Sequence, residues 1–324
     1  ALAAARAALA AALLVSPRPG AALVRRAFAA GGARTAAGLA RHRPDGVATR
    51  RDERYGDGPD ALLDVHRPAA ATAPLPALVW VHGGGWVGGA KEELRDWLAL
   101  VASHGYAVVA VRYPLAPAHR YPAPVRAVSA VLAHVERHAG RLGIDPARLA
   151  LGGDSAGAQI AAQVAALATT PGYAEAVGVR PTVAPDRLRG VVLACGPYDL
   201  GLLHERDGDP LARRLVRTLL WAYSGTRDYA RDRFFATASV ADHLSGAFPP
   251  TLATVGNADP LRRHTEVLVA RLRALGVDVD ALLFTPDHAP PLGHEYQFDL
   301  DGAAGQAFLA RLLAFLARRL RDGA

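Results

Sequence analysis

From residue 60 onward, short runs rich in β-branched residues alternate with longer stretches of helical hydrophobic periodicity. This alternation is typical of parallel strands joined by crossover helices. The strand-like runs lie at residues 62–66, 78–81, 107–111, 149–152, 190–194, 251–255 and 279–284. The helical patterns lie at residues 91–103, 124–139, 156–168, 261–275 and 303–320. We therefore predict an α/β fold with a doubly wound, mostly parallel sheet.

The alternation stops between residues 198 and 248, where no strand-like run occurs. So long a segment inside a compact domain indicates an insertion, and we predict a helical cap at about residues 200–246. The aromatic residues of this segment include Trp221, Tyr223, Phe234 and Phe235. They either shape a substrate pocket or pack the cap against the sheet, and for any single one of them we favour packing.

The sequence Gly153-Asp154-Ser155-Ala156-Gly157 lies between a predicted strand and a predicted helix. This is the pattern and the context of a nucleophile elbow, in which a sharp turn holds a serine hydroxyl above the strand ends. Glycine flanks the turn because a side chain there would collide with neighbouring backbone. The Ala156 N–H, at the start of the helix, would point toward a developing oxyanion. Alone, the pattern also fits an ordinary strand-to-helix turn.

A second glycine-rich element, HGGGW at residues 82–86, follows directly after a predicted strand. Residues without side chains let backbone N–H groups approach a tetrahedral intermediate, as in HGGG-type oxyanion loops. We assign this role to Gly84 and Gly85, with Gly83 as the alternative. A phosphate-binding loop is the competing interpretation, but neither GxGxxG nor a Walker lysine is present. His82 is expected to order the loop rather than to transfer protons.

A serine hydroxyl becomes nucleophilic only beside a base, and the base needs an orienting acid. With an elbow of this kind, the acid and then the base follow the serine along the chain. Asp259 lies just after the strand predicted at residues 251–255, at the carboxyl edge where the ligand sites of α/β sheets form. A simple helix N-cap is the alternative role for Asp259. Asp287 and Asp278 are weaker candidates for the acid.

The candidate base is His294, in the loop between the last predicted strand and the last predicted helix. From there it can reach over the sheet edge toward Ser155 while its other ring nitrogen donates to Asp259. His288 is the competitor, six residues earlier. We favour His294 because Gly293 allows a close approach and because His288 lies too near the end of the strand.

The positive charge of the chain is unevenly distributed. The formal net charge of +7 over 324 residues would suit a nucleic-acid-binding protein. Residues 1–54, however, contain ten arginines and three acidic residues, whereas the remainder has equal numbers of basic and acidic residues. Because the excess charge belongs to the N-terminal segment and not to the body, we predict no nucleic-acid partner.

We predict that residues 1–54 form a basic, alanine-rich helical extension. Its apolar stretch at residues 7–15 is long enough for the core of a signal peptide and too short to span a membrane. One later helical face combines apolar residues with adjacent arginines: Leu23, Val24, Ala27, Phe28, Arg25 and Arg26. This face fits either peripheral contact with an anionic membrane surface or a lid helix over the active site. We expect a cytoplasmic protein, with membrane association or secretion through a truncated signal as alternatives.

The cysteine and histidine content predicts neither a disulfide nor a bound metal. Cys195 is the only cysteine, so no intramolecular disulfide can form. Its place in an apolar run predicts a buried and unreactive thiol. The histidines show no metal-binding spacing such as His-Glu-Xaa-Xaa-His, so we expect no metal and no other cofactor. The sequence carries no signal for a particular oligomeric state.

The HGGGW and GDSAG motifs, followed by Asp259 and His294, resemble the hormone-sensitive-lipase-like family of bacterial carboxylesterases. The resemblance to feruloyl-esterase-like and kynurenine-formamidase-like hydrolases is more distant. The resemblance carried by these motifs covers residues 60–320. It implies an α/β-hydrolase domain at residues 55–324, with a cap insertion. One departure is Ala158, where the lipase-like family usually carries a further glycine.

This resemblance implies a serine esterase that hydrolyses small-molecule carboxylic esters of short to medium acyl chain without a cofactor. It assigns the catalytic roles to Ser155, Asp259 and His294, and the oxyanion hole to Gly84, Gly85 and Ala156. An amidase or peptidase with the same triad is the first alternative. A non-catalytic ligand-binding protein on the same fold is the second.

Overall fold

The computed structural model describes residues 15–203 and 210–321, which form one eight-stranded sheet with helices on both faces. The strands are β1 (Val47–Arg54), β2 (Leu62–Pro68), β3 (Leu75–Val81), β4 (Ala107–Val111), β5 (Ile144–Asp154), β6 (Leu188–Ala194), β7 (Thr251–Val255) and β8 (Val279–Leu283). The helices are α1 (Arg18–Leu39), α2 (Arg95–Ser103), α3 (Ala123–Arg137), α4 (Ala139–Leu142), α5 (Ala156–Thr169), α6 (Tyr173–Val177), α7 (Pro210–Ser224), α8 (Arg233–Ala236), α9 (Arg262–Ala274) and α10 (Ala303–Leu320).

The strand order is β1-β2-β4-β3-β5-β6-β7-β8. β2 is antiparallel to both of its neighbours, and all the pairs from β4 to β8 are parallel. The prediction of a mostly parallel α/β sheet is therefore confirmed. Because β3, β5, β6, β7 and β8 are parallel, the loops that follow them converge on one edge of the sheet.

Alternate residues of the central strands face two separate hydrophobic layers, as the pleat of a strand requires. Val79 and Val81 of β3 pack into one layer with helices α3 and α5, whereas Leu78 and Trp80 pack into the other with α2 and α10. All four side chains are buried. Covering on both faces explains why these strands are almost continuously apolar.

The sequence analysis missed strand β1. It placed residues 1–54 in a helical extension, but residues 47–54 pair antiparallel with β2 at the edge of the sheet. The charged segment Arg50–Arg54 is largely exposed, and an edge strand with two polar faces has no hydrophobic alternation to reveal it. The helical part of the extension within the described chain is α1, which begins at Arg18.

Helix α1 lies against the body of the molecule and contacts α7 and α2. The apolar face predicted on it is divided, because Val24 and Phe28 pack against the hydrophobic layer while Leu23 is 52% exposed. Apart from Val15, the apolar stretch at 7–15 lies outside the described residues. Among the residues described, no helix combines the length and the apolar character that crossing a bilayer requires.

Candidate active site

Ser155 occupies the turn between β5 and α5, where its backbone adopts φ 51° and ψ −122°. A non-glycine residue with positive φ is strained, and such strain persists only where neighbouring structure holds it in place. The Ser155 N–H donates to the Ala194 carbonyl on β6 at 2.8 Å, and the Gln159 N–H donates to the Ser155 carbonyl at 3.2 Å. The turn therefore fixes the serine at the carboxyl edge of the sheet.

Gly157 shows why the elbow needs glycine on its helical side. A Cβ added there would collide with the carbonyl oxygens of Val81 and His82 on the neighbouring β3 strand and its loop. Any larger residue would push α5 away from β3. The start of α5, and with it the Ala156 N–H, would then move relative to Ser155.

The structure brings the three predicted side chains into one hydrogen-bonded chain. His294 Nε2 lies 2.9 Å from Ser155 Oγ, and His294 Nδ1 lies 2.8 Å from Asp259 Oδ2. The Asp259 side chain is fully buried, and its Oδ1 accepts the Leu261 N–H at 2.7 Å. Asp259 therefore bonds both to the turn that precedes α9 and to the imidazole of His294.

The competing candidates lie elsewhere. His288 Nδ1 is 3.1 Å from the Pro290 carbonyl oxygen, and its ring packs against Phe284. Asp278 forms an ion pair with Arg319, and Asp287 is exposed. None of these three residues takes part in the hydrogen bonds that link Asp259, His294 and Ser155.

The charge state of His294 depends on opposing influences. Desolvation of the ring lowers its pKa, whereas the neighbouring Cys195 sulfur and the Asp259 carboxylate raise it. The net pKa lies above that of an ordinary histidine. When the ring takes up a proton, the Asp259 carboxylate stabilises the resulting imidazolium.

The glycine loop, defined here as residues 82–89, borders the same cavity as Ser155. Gly84 and Gly85 have φ 110° and 57°, values that side-chain-bearing residues rarely adopt. The Gly83 N–H donates to Asp154 Oδ2 at 2.7 Å and is therefore already engaged. Within residues 15–203 and 210–321, no protein acceptor is bonded to the N–H of Gly84 or Gly85. This geometry favours Gly84 and Gly85 over Gly83 as donors to a ligand.

His82 stabilises the glycine loop, as expected from the sequence. Its Nδ1 lies 2.7 Å from the Gly83 carbonyl oxygen, and its ring stacks on Tyr113 at 4.4 Å between centroids. Burial lowers the pKa of His82 to about 4, so the ring is neutral at physiological pH. The Tyr113 hydroxyl in turn donates to the His82 carbonyl at 2.9 Å.

Two carboxyl groups beside the glycine loop were not singled out in the sequence. Asp154 is buried and accepts hydrogen bonds from Trp80 Nε1 at 2.8 Å and from the Gly83 N–H. The Glu295 carboxyl lies close to the Asp154 carboxyl. A Cβ added to Gly83 would collide with both carboxyl groups. Burial and the neighbouring Glu295 raise the pKa of Asp154 well above its usual value. The only sequence clue was the position of Asp154 inside the elbow motif.

This pair predicts a pH-dependent gain in stability for the Glu295→Gln variant. A carboxyl whose pKa is raised on folding lowers stability as pH rises above its unfolded pKa of about 3.9. Glutamine removes the like charge next to Asp154, so thermal melting should shift upward by about 2 °C at about pH 8 and by less at about pH 5. Equal shifts at both pH values would contradict the interaction between Asp154 and Glu295.

A cavity of about 430 Å³ opens over Ser155 and His294. Its walls come from α1, the glycine loop, α7 and the loops after β7 and β8, and they are mainly apolar. Trp221, Tyr223, Phe234 and Phe235 are absent from the described residues that line it. Tyr223 stacks on Trp86 at 4.7 Å, and Phe235 packs edge-on against Tyr121. The contacts of Tyr223 and Phe235 agree with the packing role that we favoured for the cap aromatics.

Cys195 lies directly behind the hydrogen-bonded chain. It is buried and free, and its sulfur accepts a long hydrogen bond from Gln297 Nε2 at 3.8 Å. Ligand-type atoms of Cys195, Asp259 and His294 lie within 4.8 Å of one another, the one such grouping found in the described part of the chain. Both oxygens of Asp259 and both ring nitrogens of His294 already take part in hydrogen bonds.

The chain is similar to known proteins in both a family model and an individual relative. A family model described as the alpha/beta hydrolase fold matches residues 78–287, which is more than half of the chain. Carboxylesterase NlhH of Mycobacterium tuberculosis is 32% identical over 289 residues, covering 86% of this chain and 85% of that protein. The chain belongs to the α/β-hydrolase family of carboxylic ester hydrolases.

Solved structures of this hydrolase family agree with the fold. Esterase B from Lactobacillus rhamnosis superposes with a TM-score of 0.77 at 25% identity, over 92% of this chain and 95% of that one. A bacterial heroin esterase superposes with a TM-score of 0.74 at 26% identity, over 93% of each chain. The predicted resemblance to hormone-sensitive-lipase-like carboxylesterases is confirmed, as is the predicted enzyme class.

Proposed function

We propose that the protein is a serine esterase that hydrolyses small carboxylic esters of short to medium acyl chain through an acyl-enzyme. The observation that carries this proposal is the continuous chain of hydrogen bonds from Asp259 through His294 to Ser155. Nucleophile, base and orienting acid are then in the relation that activates a hydroxyl at neutral pH. None of these steps calls for a cofactor.

In the first half-reaction, His294 Nε2 takes the Ser155 hydroxyl proton while Oγ bonds to the ester carbonyl carbon. The resulting tetrahedral intermediate collapses, the ester C–O bond breaks, and His294 gives its proton to the departing alcohol. In the second half-reaction, a water molecule repeats the sequence on the acyl-enzyme and releases the carboxylic acid. Asp259 remains ionised and stabilises the imidazolium that forms in each half.

The negative charge of each intermediate is proposed to rest on the N–H groups of Gly84, Gly85 and Ala156. The first two have no protein acceptor in the described chain, and the third belongs to the first turn of α5, whose N–H groups lack intrahelical partners. The positive end of the α5 dipole favours an anion at the same place. Losing one such donor typically costs about 10²- to 10³-fold in kcat.

The proposed substrate class follows from the cavity walls. Apolar side chains from α1 and α7, such as Phe28 and Leu219, favour an uncharged hydrocarbon acyl or alcohol group. The walls include Glu93 and Glu295, and among the described residues that line the cavity there is no Lys or Arg. Burial and the nearby carboxylates raise the pKa of Glu93 to about 7. An acyl chain ending in a carboxylate would find no counter-charge here.

Labelling and a substrate panel test this proposal. A fluorophosphonate should modify Ser155 alone, as read by mass spectrometry of the digested protein. The protein should then hydrolyse p-nitrophenyl esters faster than the matching anilides. Faster anilide hydrolysis would favour the amidase alternative, and failure to label Ser155 would favour a non-catalytic binding protein.

Acyl-chain preference can be tested at Gly31 on α1. Gly31 lines the cavity, and a Cβ added there would meet nothing within 4 Å. Gly31→Leu should therefore fill open space and lower kcat/KM for p-nitrophenyl octanoate about 10-fold relative to the acetate.

Gly38→Leu is the matched control, because Gly38 is also on α1 with open space around it and does not line the cavity. Both changes replace a helical glycine with a better helix former. Equal octanoate-to-acetate ratios in the two variants would show that α1 does not limit chain length.

A further inference from the structure

The glycine loop has an unusual backbone that needs support from outside. Four of its eight residues have positive φ: Gly84 at 110°, Gly85 at 57°, Trp86 at 62° and Gly89 at 83°. Trp86 adopts this conformation without the freedom of glycine. Such a loop keeps its shape only where surrounding groups hold it, and its shape determines where the N–H groups of Gly84 and Gly85 point.

The body of the hydrolase holds the inner part of this loop. The Tyr113 hydroxyl donates to the His82 carbonyl, and the Ala116 N–H donates to the Trp86 carbonyl at 2.9 Å. Both donors belong to the segment that follows β4. These bonds hold the loop as far as Trp86. The remaining residues, 87–89, are called the outer arm here and are held by other contacts.

Arg25 on helix α1 hydrogen-bonds to the outer arm. Arg25 Nε donates to the Val87 carbonyl at 2.6 Å, and Arg25 Nη2 donates to the Ala116 carbonyl at 3.0 Å. In the described chain, no other hydrogen bond reaches the Val87 carbonyl. The guanidinium therefore joins α1, the glycine loop and the segment after β4 at a single point.

The next turn of α1 adds an apolar contact to the same loop. A Cβ placed on Gly88 would lie 3.5 Å from the Phe28 side chain and 3.6 Å from the Arg25 Cα. A Cβ placed on Gly85 would lie 3.1 Å from the edge of the Phe28 ring. Arg25 and Phe28 are three residues apart and so share one face of the helix. That face is seated directly on the glycine loop.

Within residues 15–203 and 210–321, the guanidinium of Arg25 binds backbone carbonyls and forms no ion pair. Among the described residues, no carboxylate lies within salt-bridge distance of it, and its hydrogen-bonded acceptors are the two backbone carbonyls. The planar guanidinium presents several donors in a fixed fork, which suits two carbonyls held at a set spacing. The contact therefore depends on the planar shape of the guanidinium as well as on its positive charge.

We propose that Arg25 is a positioning residue for ester hydrolysis, acting through Val87 on the N–H groups of Gly84 and Gly85. This inference rests on the proposed esterase mechanism. It makes α1, which lies outside the residues 78–287 that match the family model, a structural part of the oxyanion hole. Without Arg25 the substrate still enters the cavity, but the donors no longer point at the developing oxyanion.

The test compares Arg25→Ala and Arg25→Lys with Arg34→Ala in the full-length protein. Arg34 is the matched control, because its Nε donates at 3.1 Å to Ala30 within α1 itself. With p-nitrophenyl butyrate, Arg25→Ala should lower kcat about 10-fold and leave KM within about twofold, which is less than the cost of losing a whole oxyanion donor. Arg34→Ala should match the parent protein.

Two further measurements separate positioning from general stability. The rate at which a fluorophosphonate modifies Ser155 should fall in parallel with kcat, because the phosphonyl oxygen occupies the same hole. Arg25→Lys keeps the charge but loses the fork, so it should recover only part of kcat. It also serves as the test variant should Arg25→Ala fail to fold.

The outcomes distinguish this inference from the proposed function. A parent protein without esterase activity would overturn both. Normal parent activity together with unchanged kcat in Arg25→Ala, a change in KM alone, or full recovery by Arg25→Lys would overturn only the role of Arg25.

Discussion

Ser155→Ala is expected to lose about 10⁶-fold in kcat for p-nitrophenyl butyrate while the protein stays folded. The hydroxyl oxygen is the atom that forms the acyl-enzyme, and it lies 2.9 Å from His294 Nε2. Alanine retains the Cβ but has no atom that can bond to the ester carbonyl carbon. Steady-state hydrolysis, with thermal melting to verify the fold, measures the effect.

Ser103→Ala provides the control for this loss. Ser103 is exposed at the end of α2, and its hydroxyl donates to the Leu100 carbonyl at 2.7 Å. The variant should retain full activity. Comparable activity in Ser155→Ala and Ser103→Ala would refute the proposed nucleophile.

Asp259→Asn should lower kcat by about 10⁴-fold without removing any part of the fold. Asp259 Oδ2 lies 2.8 Å from His294 Nδ1. In the proposed mechanism this carboxylate holds the ring proton on Nδ1, which leaves Nε2 free to accept from Ser155. An asparagine amide can donate to Nδ1, which places the ring proton on Nε2, facing the nucleophile. The base is then present in the wrong tautomer.

The pH profile gives a second measurement of the same variant. Hydrolysis requires the neutral form of His294, so kcat/KM falls as pH drops through the histidine pKa. Because the Asp259 carboxylate is one of the groups that raise this pKa, the acidic limb should move to lower pH in Asp259→Asn. Asp287→Asn, at an exposed aspartate, should leave both kcat and the acidic limb unchanged. A parallel loss in the two variants would reject Asp259 as the orienting acid.

The meeting of Ser155, Asp259 and His294 was predictable because each follows a recognisable strand. Parallel strands bring their carboxyl ends to one edge, so residues far apart in sequence can be placed together from strand position alone. The motif around Ser155 then identifies the nucleophile, and the order serine, acid, base along the chain restricts which residues can be the acid and the base. His294 was preferred to His288 because Gly293 allows a close approach and His288 lies too near the strand end, and in the structure His294 is the one that hydrogen-bonds to Ser155.

Contacts that depend on packing between distant segments were not predictable in this way. Arg25 meets Val87 across 62 residues of sequence, and nothing in the local pattern of α1 indicates which carbonyl its guanidinium reaches. The proximity of Asp154 and Glu295 likewise depends on the positions of two separate loops. Strand β1 was missed for a different reason, since its charged residues lack the alternation that marks a half-buried strand.

The cavity walls and the hydrogen-bonded chain come from different parts of the fold. The chain stands on loops that follow the parallel strands, whereas α1 and α7 supply walls of the cavity from outside the sheet. Substitutions at the cavity-facing residues of these two helices are therefore expected to change substrate range, whereas a change at Arg25 is expected to lower kcat. Relatives that share this arrangement can therefore accept different esters while keeping one reaction, through changes on the cavity-facing sides of α1 and α7 that leave Arg25 in place.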